Sequence, residues 1–101
     1  MRIYISGPYT IGDVAMNVRR AIDAGDKILE KGHTPFVPHL THFWHFISPK
    51  SWETWMKIDK EWITFCDAVL RLPGESKGAD LEVEYAETLG IPIYYSLEEI
   101  T

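Results

Sequence analysis

The sequence predicts an α/β domain of three layers, with helices on both faces of a doubly wound parallel sheet. Three observations carry this. Short β-rich runs alternate with helical periods along the whole chain. The runs stop at glycine and proline signals. At 101 residues the chain has room for one core, so residues 1–101 are expected to form a single domain.

Ile3-Tyr4-Ile5 is the first strand, and it ends at Ser6-Gly7-Pro8. From about Val14 to Lys31, Val18, Ala21, Ile22, Gly25, Ile28 and Leu29 follow helical spacing, and Gly32 closes the helix. Thr34-Pro35-Phe36-Val37-Pro38 is a strand whose prolines suit an edge position. His39 to Ser51 has no clear period and reads as a long loop rich in histidine and aromatic residues. A second helix is expected over Trp52 to Phe65, and a buried strand over Asp67 to Leu72. A third helix covers Gly78 to Leu89 and is closed by Gly90. Ile91 to Tyr95 is the last strand, and Ser96 to Ile100 a capped terminal turn. The order βαβαβαβ implies right-handed crossovers and a flavodoxin-like or Rossmann-like sheet of order 2-1-3-4. Ligands of such sheets sit where strand order reverses. Here that point lies between the loops Ser6-Gly7-Pro8-Tyr9-Thr10 and Leu72-Pro73-Gly74-Glu75-Ser76.

Composition narrows the function. The chain is 46% apolar and 25% charged, as globular domains are. A net charge of −5 with scattered basic residues excludes a protein that wraps nucleic acid. No apolar run is long enough for a membrane span, and the chain opens directly on a strand, so a cytoplasmic protein is expected. Cys66 has no partner for an internal disulfide and reads as a buried small hydrophobe. Four Trp, five Tyr and four Phe exceed what a small core needs, and they suggest a ligand pocket or a subunit interface. Trp52, Trp55 and Trp62 are assigned to core or interface.

Two acids fall on apolar stripes. Ala79, Glu82, Val83 and Ala86 share one face of the third helix, while Asp80, Glu84 and Glu87 take another. Trp55, Asp59, Trp62, Ile63 and Cys66 share a face of the second. A buried carboxylate costs several kcal/mol unless it is paired or hydrogen-bonded. One such acid is explained equally well by a structural bond; two on neighbouring helices point to a site. Glu82 lies near its helix start, where the macrodipole favours the ionised form. Such a carboxylate can act as a nucleophile or stabilise an oxocarbenium-like transition state.

The run Ser76-Lys77-Gly78-Ala79-Asp80-Leu81-Glu82-Val83-Glu84-Tyr85-Ala86 resembles the Gly-x-x-x-Glu-x-x-Tyr-Ala segment of the nucleoside 2-deoxyribosyltransferase superfamily. That superfamily includes 2′-deoxynucleoside 5′-monophosphate N-glycosidases and pyrimidine-nucleotide hydrolases. Ile3-Tyr4-Ile5-Ser6-Gly7 is similar to its first strand and turn, and Asp59 to Ile63 with Cys66 to Val69 to its third-strand approach. The chain also resembles an uncharacterised group of short domains within it. The resemblance implies that Glu82 is the nucleophile at C1′, that Tyr4 contacts it, and that Asp59 assists departure of the base. It further implies that Ser76 binds a 5′-phosphate, with the amides of Gly78 and Ala79 behind it. Pro8 and Thr10 replace a serine and an arginine that help hold phosphate in the nucleotide-cleaving members.

The expected catalytic residues are therefore Glu82, Asp59 and Tyr4. The expected substrate contacts are Ser6, Gly7, Pro8, His39, His45, Gly74, Ser76 and Gly78. His39, His42 and His45 are spaced by three, but no acid or cysteine clusters with them, so pocket residues are favoured over a metal site. Ser6-Gly7-Pro8 is not a phosphate-binding loop of the Gly-Lys-Ser/Thr kind. The expectation is cleavage or transfer at the N-glycosidic bond of a nucleoside or nucleotide, without metal or organic cofactor, by a homodimer or higher homo-oligomer. A non-catalytic nucleotide-sensing module is the alternative, and a structural oligomer using the aromatic surface a third.

Overall fold

The computed structural model describes residues 1–101. Its elements run β1 (Arg2–Ser6), α1 (Val14–Glu30), β2 (Thr34–Phe36), a 3₁₀ turn (Pro38–Thr41), α2 (His42–Ile47), α3 (Trp52–Ile63), β3 (Ala68–Arg71), α4 (Lys77–Thr88), β4 (Ile93–Tyr94) and a 3₁₀ turn (Leu97–Glu99). The four strands form one parallel sheet of order β2-β1-β3-β4, as the alternation predicts. No helix is long and apolar enough to cross a membrane.

Strand periodicity divides the core and already selects the site. Ile3 and Ile5 point to one face of the sheet, where they pack with Ala68, Leu70 and the α1 residues Ala21, Ala24 and Ile28. Tyr4 points to the other face, where Val69, Ile63, Val83 and Ala86 cover it. Ser6, two residues on, shares the Tyr4 face and is likewise fully buried. A one-residue slip of β1 would exchange the two faces, so the hydrophobic pattern that fixes the register also aims both hydroxyls at α4.

Helix α1 starts at Asp13, whose side chain caps the Met16 amide at 3.1 Å. Its buried stripe is Asn17, Ala21, Ala24, Gly25 and Ile28. The predicted members Ile22 and Leu29 are exposed instead. Small residues are favoured on this face because the sheet approaches closely: a Cβ on Gly25 would stand 3.1 Å from Val37 Cγ2. Gly32 and Gly90 end their helices at φ +86° and +74°, the left-handed conformation expected there.

The principal correction lies between Pro38 and Ser51. The expected loop is a 3₁₀ turn followed by the short helix α2. Aromatic and histidine side chains give HFWHFI little helical propensity. Tertiary contacts supply the order: Trp44 and His45 pack edge-on against Trp55, and His42 against Tyr9. The outer side is apolar and open, with Phe46 79% and Ile47 82% exposed. Predicted element ends shift elsewhere by one or two residues; β4, for instance, keeps only two. Cys66 is half-buried rather than buried. Trp52 and Trp62 are half-exposed, and Trp62 stacks on Phe36 (5.0 Å), which stacks on Tyr4 (5.7 Å).

Candidate active site

The loops after β1 and β3 meet at the switch point, where the Leu72 amide donates to the Ser6 carbonyl at 2.7 Å. Beside them opens a cavity of about 420 Å³. Gly7, Tyr9, Thr10 and Ile11 line it from the first loop, and Glu75 and Ser76 from the second. Lys77, Gly78, Ala79 and Glu82 of α4 and Trp52, Trp55, Met56 and Asp59 of α3 form further walls. Pro38, His39, Thr41, His45 and Lys50 complete it.

Glu82 is the buried carboxylate of this wall. It is 6% exposed, lies among Ala79, Val83 and Ala86 as its stripe predicts, and is held at both oxygens. The Tyr4 hydroxyl donates to Oε2 at 2.8 Å and the Ser6 hydroxyl to Oε1 at 2.8 Å. Each carboxylate oxygen has a second lone pair, so both retain acceptor capacity. Burial raises the Tyr4 phenol well above its ordinary range, and the Glu82 charge adds to this, so Tyr4 remains a donor. Because α4 begins at Lys77, Glu82 lies in the second turn; the two hydroxyls stabilise it more directly than the helix dipole.

Asp59 approaches from α3. Burial raises its carboxyl to about 8, and the neighbouring Glu82 charge and a hydrogen bond between the two carboxyls act in the same direction. Two adjacent carboxylates cannot both ionise in a buried site. The proton of the pair therefore resides on Asp59 at neutral pH, and Asp59 donates it to Glu82.

The other expected contacts divide. Gly7, His39, His45, Ser76 and Gly78 line the cavity. Ser6 lies beneath it, fully buried, with its hydroxyl committed to Glu82 and, at 3.4 Å, to the Ala79 carbonyl. Pro8 and Gly74 are not in the wall; they pack against each other, and a Cβ on Gly74 (φ +115°) would fall 2.8 Å from Pro8 Cγ. Pro8 still acts on the site, because its carbonyl accepts from His39 Nε2 at 3.0 Å. The Ser76 oxygen caps α4 by accepting from the Ala79 amide at 3.1 Å. Ser76→Ala is expected to lower stability by about 1 kcal/mol, read as a fall in denaturation midpoint with an unchanged slope.

No three His, Cys, Asp or Glu side chains gather as a metal-binding group. The three histidines each have separate partners. His39 bonds Pro8, His42 bonds the Tyr9 hydroxyl, and His45 Nδ1 accepts from Trp55 Nε1 at 2.8 Å and from the Lys50 amide at 3.2 Å. Indole and amide N–H groups only donate, so the His45 proton sits on Nε2.

Several wall residues are absent from the sequence expectation. Tyr9 and Glu75 lie in the two loops expected at the switch point without having been singled out as contacts, and Lys50 and Lys77 had no spacing signal. Asn17 did have one: it is a polar residue on the buried stripe of α1. Its amide donates to the carbonyls of Tyr9 and Ile11 at 2.9 and 2.8 Å, fixing the loop that lines the cavity.

A family model described as domain of unknown function (DUF4406) matches residues 1–95. No curated protein matches the chain in sequence. Among solved structures, the chain is similar to the 2-deoxyribosyltransferase of Bacillus psychrosaccharolyticus. The TM-score is 0.70 and the identity 22%, over 92% of this chain and 69% of that one. It is also similar to the 2-deoxyribosyltransferase of Leishmania mexicana, with a TM-score of 0.66 and 22% identity, over 91% of this chain and 61% of that one. The chain thus has the deoxyribosyltransferase fold and spans under two thirds of the second protein's length.

Proposed function

The chain belongs to the family described as domain of unknown function DUF4406, and we propose that it cleaves the N-glycosidic bond of a nucleoside or nucleoside 5′-monophosphate, with Glu82 as nucleophile. One observation carries this reading: a buried carboxylate, fixed by two hydroxyls, stands on a cavity wall beside a carboxyl that keeps its proton at neutral pH. That pairing separates the two acids into a nucleophile and a proton donor. Its place on a deoxyribosyltransferase fold adds the substrate class.

In the proposed reaction a Glu82 oxygen attacks C1′ while the bond from C1′ to the base nitrogen breaks. The Asp59 proton passes to the departing base, and the sugar is left as an ester of Glu82. As Asp59 loses its proton and Glu82 its charge together, the buried pair carries one negative charge throughout. Water or a second base then attacks C1′, the ester bond breaks and returns Glu82 as the carboxylate, and Asp59 takes up the proton of the attacking water or base. Tyr4 and Ser6 hold the attacking carboxylate in place and are positioning residues. Lys50 and Lys77 on the wall supply cations suited to a 5′-phosphate, which the replacement of arginine by Thr10 would otherwise leave without one.

The test is incubation with ribo- and deoxyribonucleosides and their 5′-monophosphates, followed by chromatography for free base. Release from at least one is expected, faster with a second base present if the reaction is transfer. Calorimetric binding with no release from any would instead favour a nucleotide-sensing module. We further propose a homodimer formed through the exposed side of α2, where Phe43, Phe46 and Ile47 are open. Light scattering is expected to give twice the 11.7 kDa chain mass, and a monomer at all concentrations would refute the dimer.

A further inference from the structure

His45 carries one polar atom that the chain leaves both unbonded and open. The residue is half-buried and forms part of the cavity wall, whereas Phe43, Phe46 and Ile47 on the outer side of α2 are exposed. Its Nδ1 accepts from Trp55 Nε1 at 2.8 Å and from the Lys50 amide at 3.2 Å. Neither group can accept in return, so the two bonds lock the imidazole as the Nε2–H tautomer. The enclosed side-chain nitrogens and oxygens without a partner are His33 Nε2 and His39 Nδ1 alone. The Nε2–H of His45 has no partner in the chain either, and it is therefore accessible rather than enclosed. Nε2 lies at the outer end of the ring, and the two residues that flank the ring, Trp55 and Lys50, line the same cavity. The open N–H thus meets the cavity, and it can only donate.

We propose that His45 Nε2–H bonds the exocyclic carbonyl of the substrate base, so that the site favours 6-oxopurines and 4-oxopyrimidines over the 6-amino and 4-amino bases. This inference rests on the N-glycoside reading of the site. Three observations select the base and this edge of it. Trp55, which holds the His45 ring, lies four residues before Asp59 on α3, and both line the cavity. His45 is thus anchored one helical turn from the group that would protonate the base. In a purine, N7 and position 6 share one edge, where guanine presents an oxygen acceptor and adenine an amino donor; thymine and cytosine differ in the same way at position 4. A donor near the residue that protonates this edge therefore faces the group that distinguishes the bases. The wall beside His45 is made of Trp52, Trp55 and Met56, whose apolar surfaces suit a base better than a phosphate. A free imidazole could answer either kind of base by changing tautomer. The bonds from Trp55 and Lys50 remove that choice, and an amino group would set donor against donor.

The experiment compares inosine with adenosine and uridine with cytidine, in ribo and deoxyribo forms and as nucleosides and 5′-monophosphates, by base release and by calorimetry. Purine riboside, with only hydrogen at position 6, is included. The wild type is expected to favour the oxo member of each pair by roughly ten- to a hundredfold in kcat/KM or affinity, with purine riboside between. His45→Gln offers both a donor and an acceptor at its end and can turn either to the base, so the preference should shrink to less than about threefold. His45→Phe keeps a ring but no donor, and it should lower the oxo substrates toward the level of the amino ones. Melting temperatures of the two variants check that they fold.

Equal treatment of oxo and amino bases by the wild type, or a preference for amino bases, overturns the proposal while base release upholds the N-glycoside reading. A preference that survives intact in either folded variant also overturns it. So does a loss confined to the 5′-monophosphates, which would place His45 against the phosphate. If no substrate loses its base but affinities still discriminate through His45, the inference stands and catalysis fails. If no nucleoside or nucleotide binds, both fail.

Discussion

Glu82→Gln is expected to lower base release by at least roughly 10³-fold, on the scale of losing a covalent nucleophile, while the protein remains folded. The amide is close in shape to the carboxylate, and its oxygen can still accept from one of the two hydroxyls now bonded to Glu82. The other hydroxyl can turn to accept from the new N–H₂. Removing the charge also relieves the neighbouring Asp59, so the substitution removes the chemistry while easing the electrostatics of the pair. Two measurements decide it. Chromatographic release must fall without a fall in melting temperature. Mass spectrometry after denaturing quench must show a pentose adduct on the wild-type peptide containing Glu82 and none on the variant. Release at the wild-type rate would remove Glu82 from the mechanism.

Asp59→Asn should have the second largest effect, and its signature is the pH dependence. With the carboxyl raised to about 8 by burial and by the Glu82 charge, wild-type kcat/KM is expected to be level below that pH. Above it the rate should fall about tenfold per unit as the proton donor is lost. Asp59→Asn should lower the neutral rate by roughly 10²-fold and abolish this falling limb. A nucleoside whose base is already cationic, such as a 7-methylated purine, needs no proton to leave and should be cleaved nearly normally. Equal losses on both substrates would mean that Asp59 acts by structure alone.

The same residue gives a stability effect of opposite sign. In the unfolded chain Asp59 titrates near 3.8, and in the folded chain near 8. Between those values the unfolded state binds fewer protons, so this group makes the wild type less stable as pH rises through the window, and the effect levels off above 8. Asn cannot ionise. The melting temperature of Asp59→Asn relative to wild type should therefore climb from pH 4 to pH 8. A difference in melting temperature between variant and wild type that stays constant from pH 4 to pH 8 would contradict the proton assignment.

The fold and the two central acids were legible for the same reason: both rest on periodicity. A period of two in Ile3-Tyr4-Ile5 and of about 3.6 around Glu82 places side chains on faces, and faces decide burial. Asn17 carried the same signal on α1, a polar residue in an apolar stripe. Helix α2 was not legible, because its order comes from contacts with Tyr9 and Trp55, far away in sequence. The rest of the wall was hidden for a related reason. Lys50 and Lys77 read as ordinary surface residues until the packing of α3 and the turn after β3 brings them to one opening. Pro8 and Gly74 fell in the correct loops, but those loops turn the pair away from the cavity. Their direction depends on Gly74 at φ +115°, which no spacing reveals.

The two hydrogen bonds to Glu82 also bear on how the domain comes into being. They join residues 78 and 76 positions apart in a chain of 101, so they close loops of about three quarters of the chain. Neither bond can exist until β1 has docked beside β3 and α4 has folded over both. During synthesis, the first strand must therefore wait for most of the chain before its buried hydroxyls find their acceptor. The proposed nucleophile is thus held in place only once α4 has closed over the sheet, and a chain cut short before that helix holds no part of the site in working order.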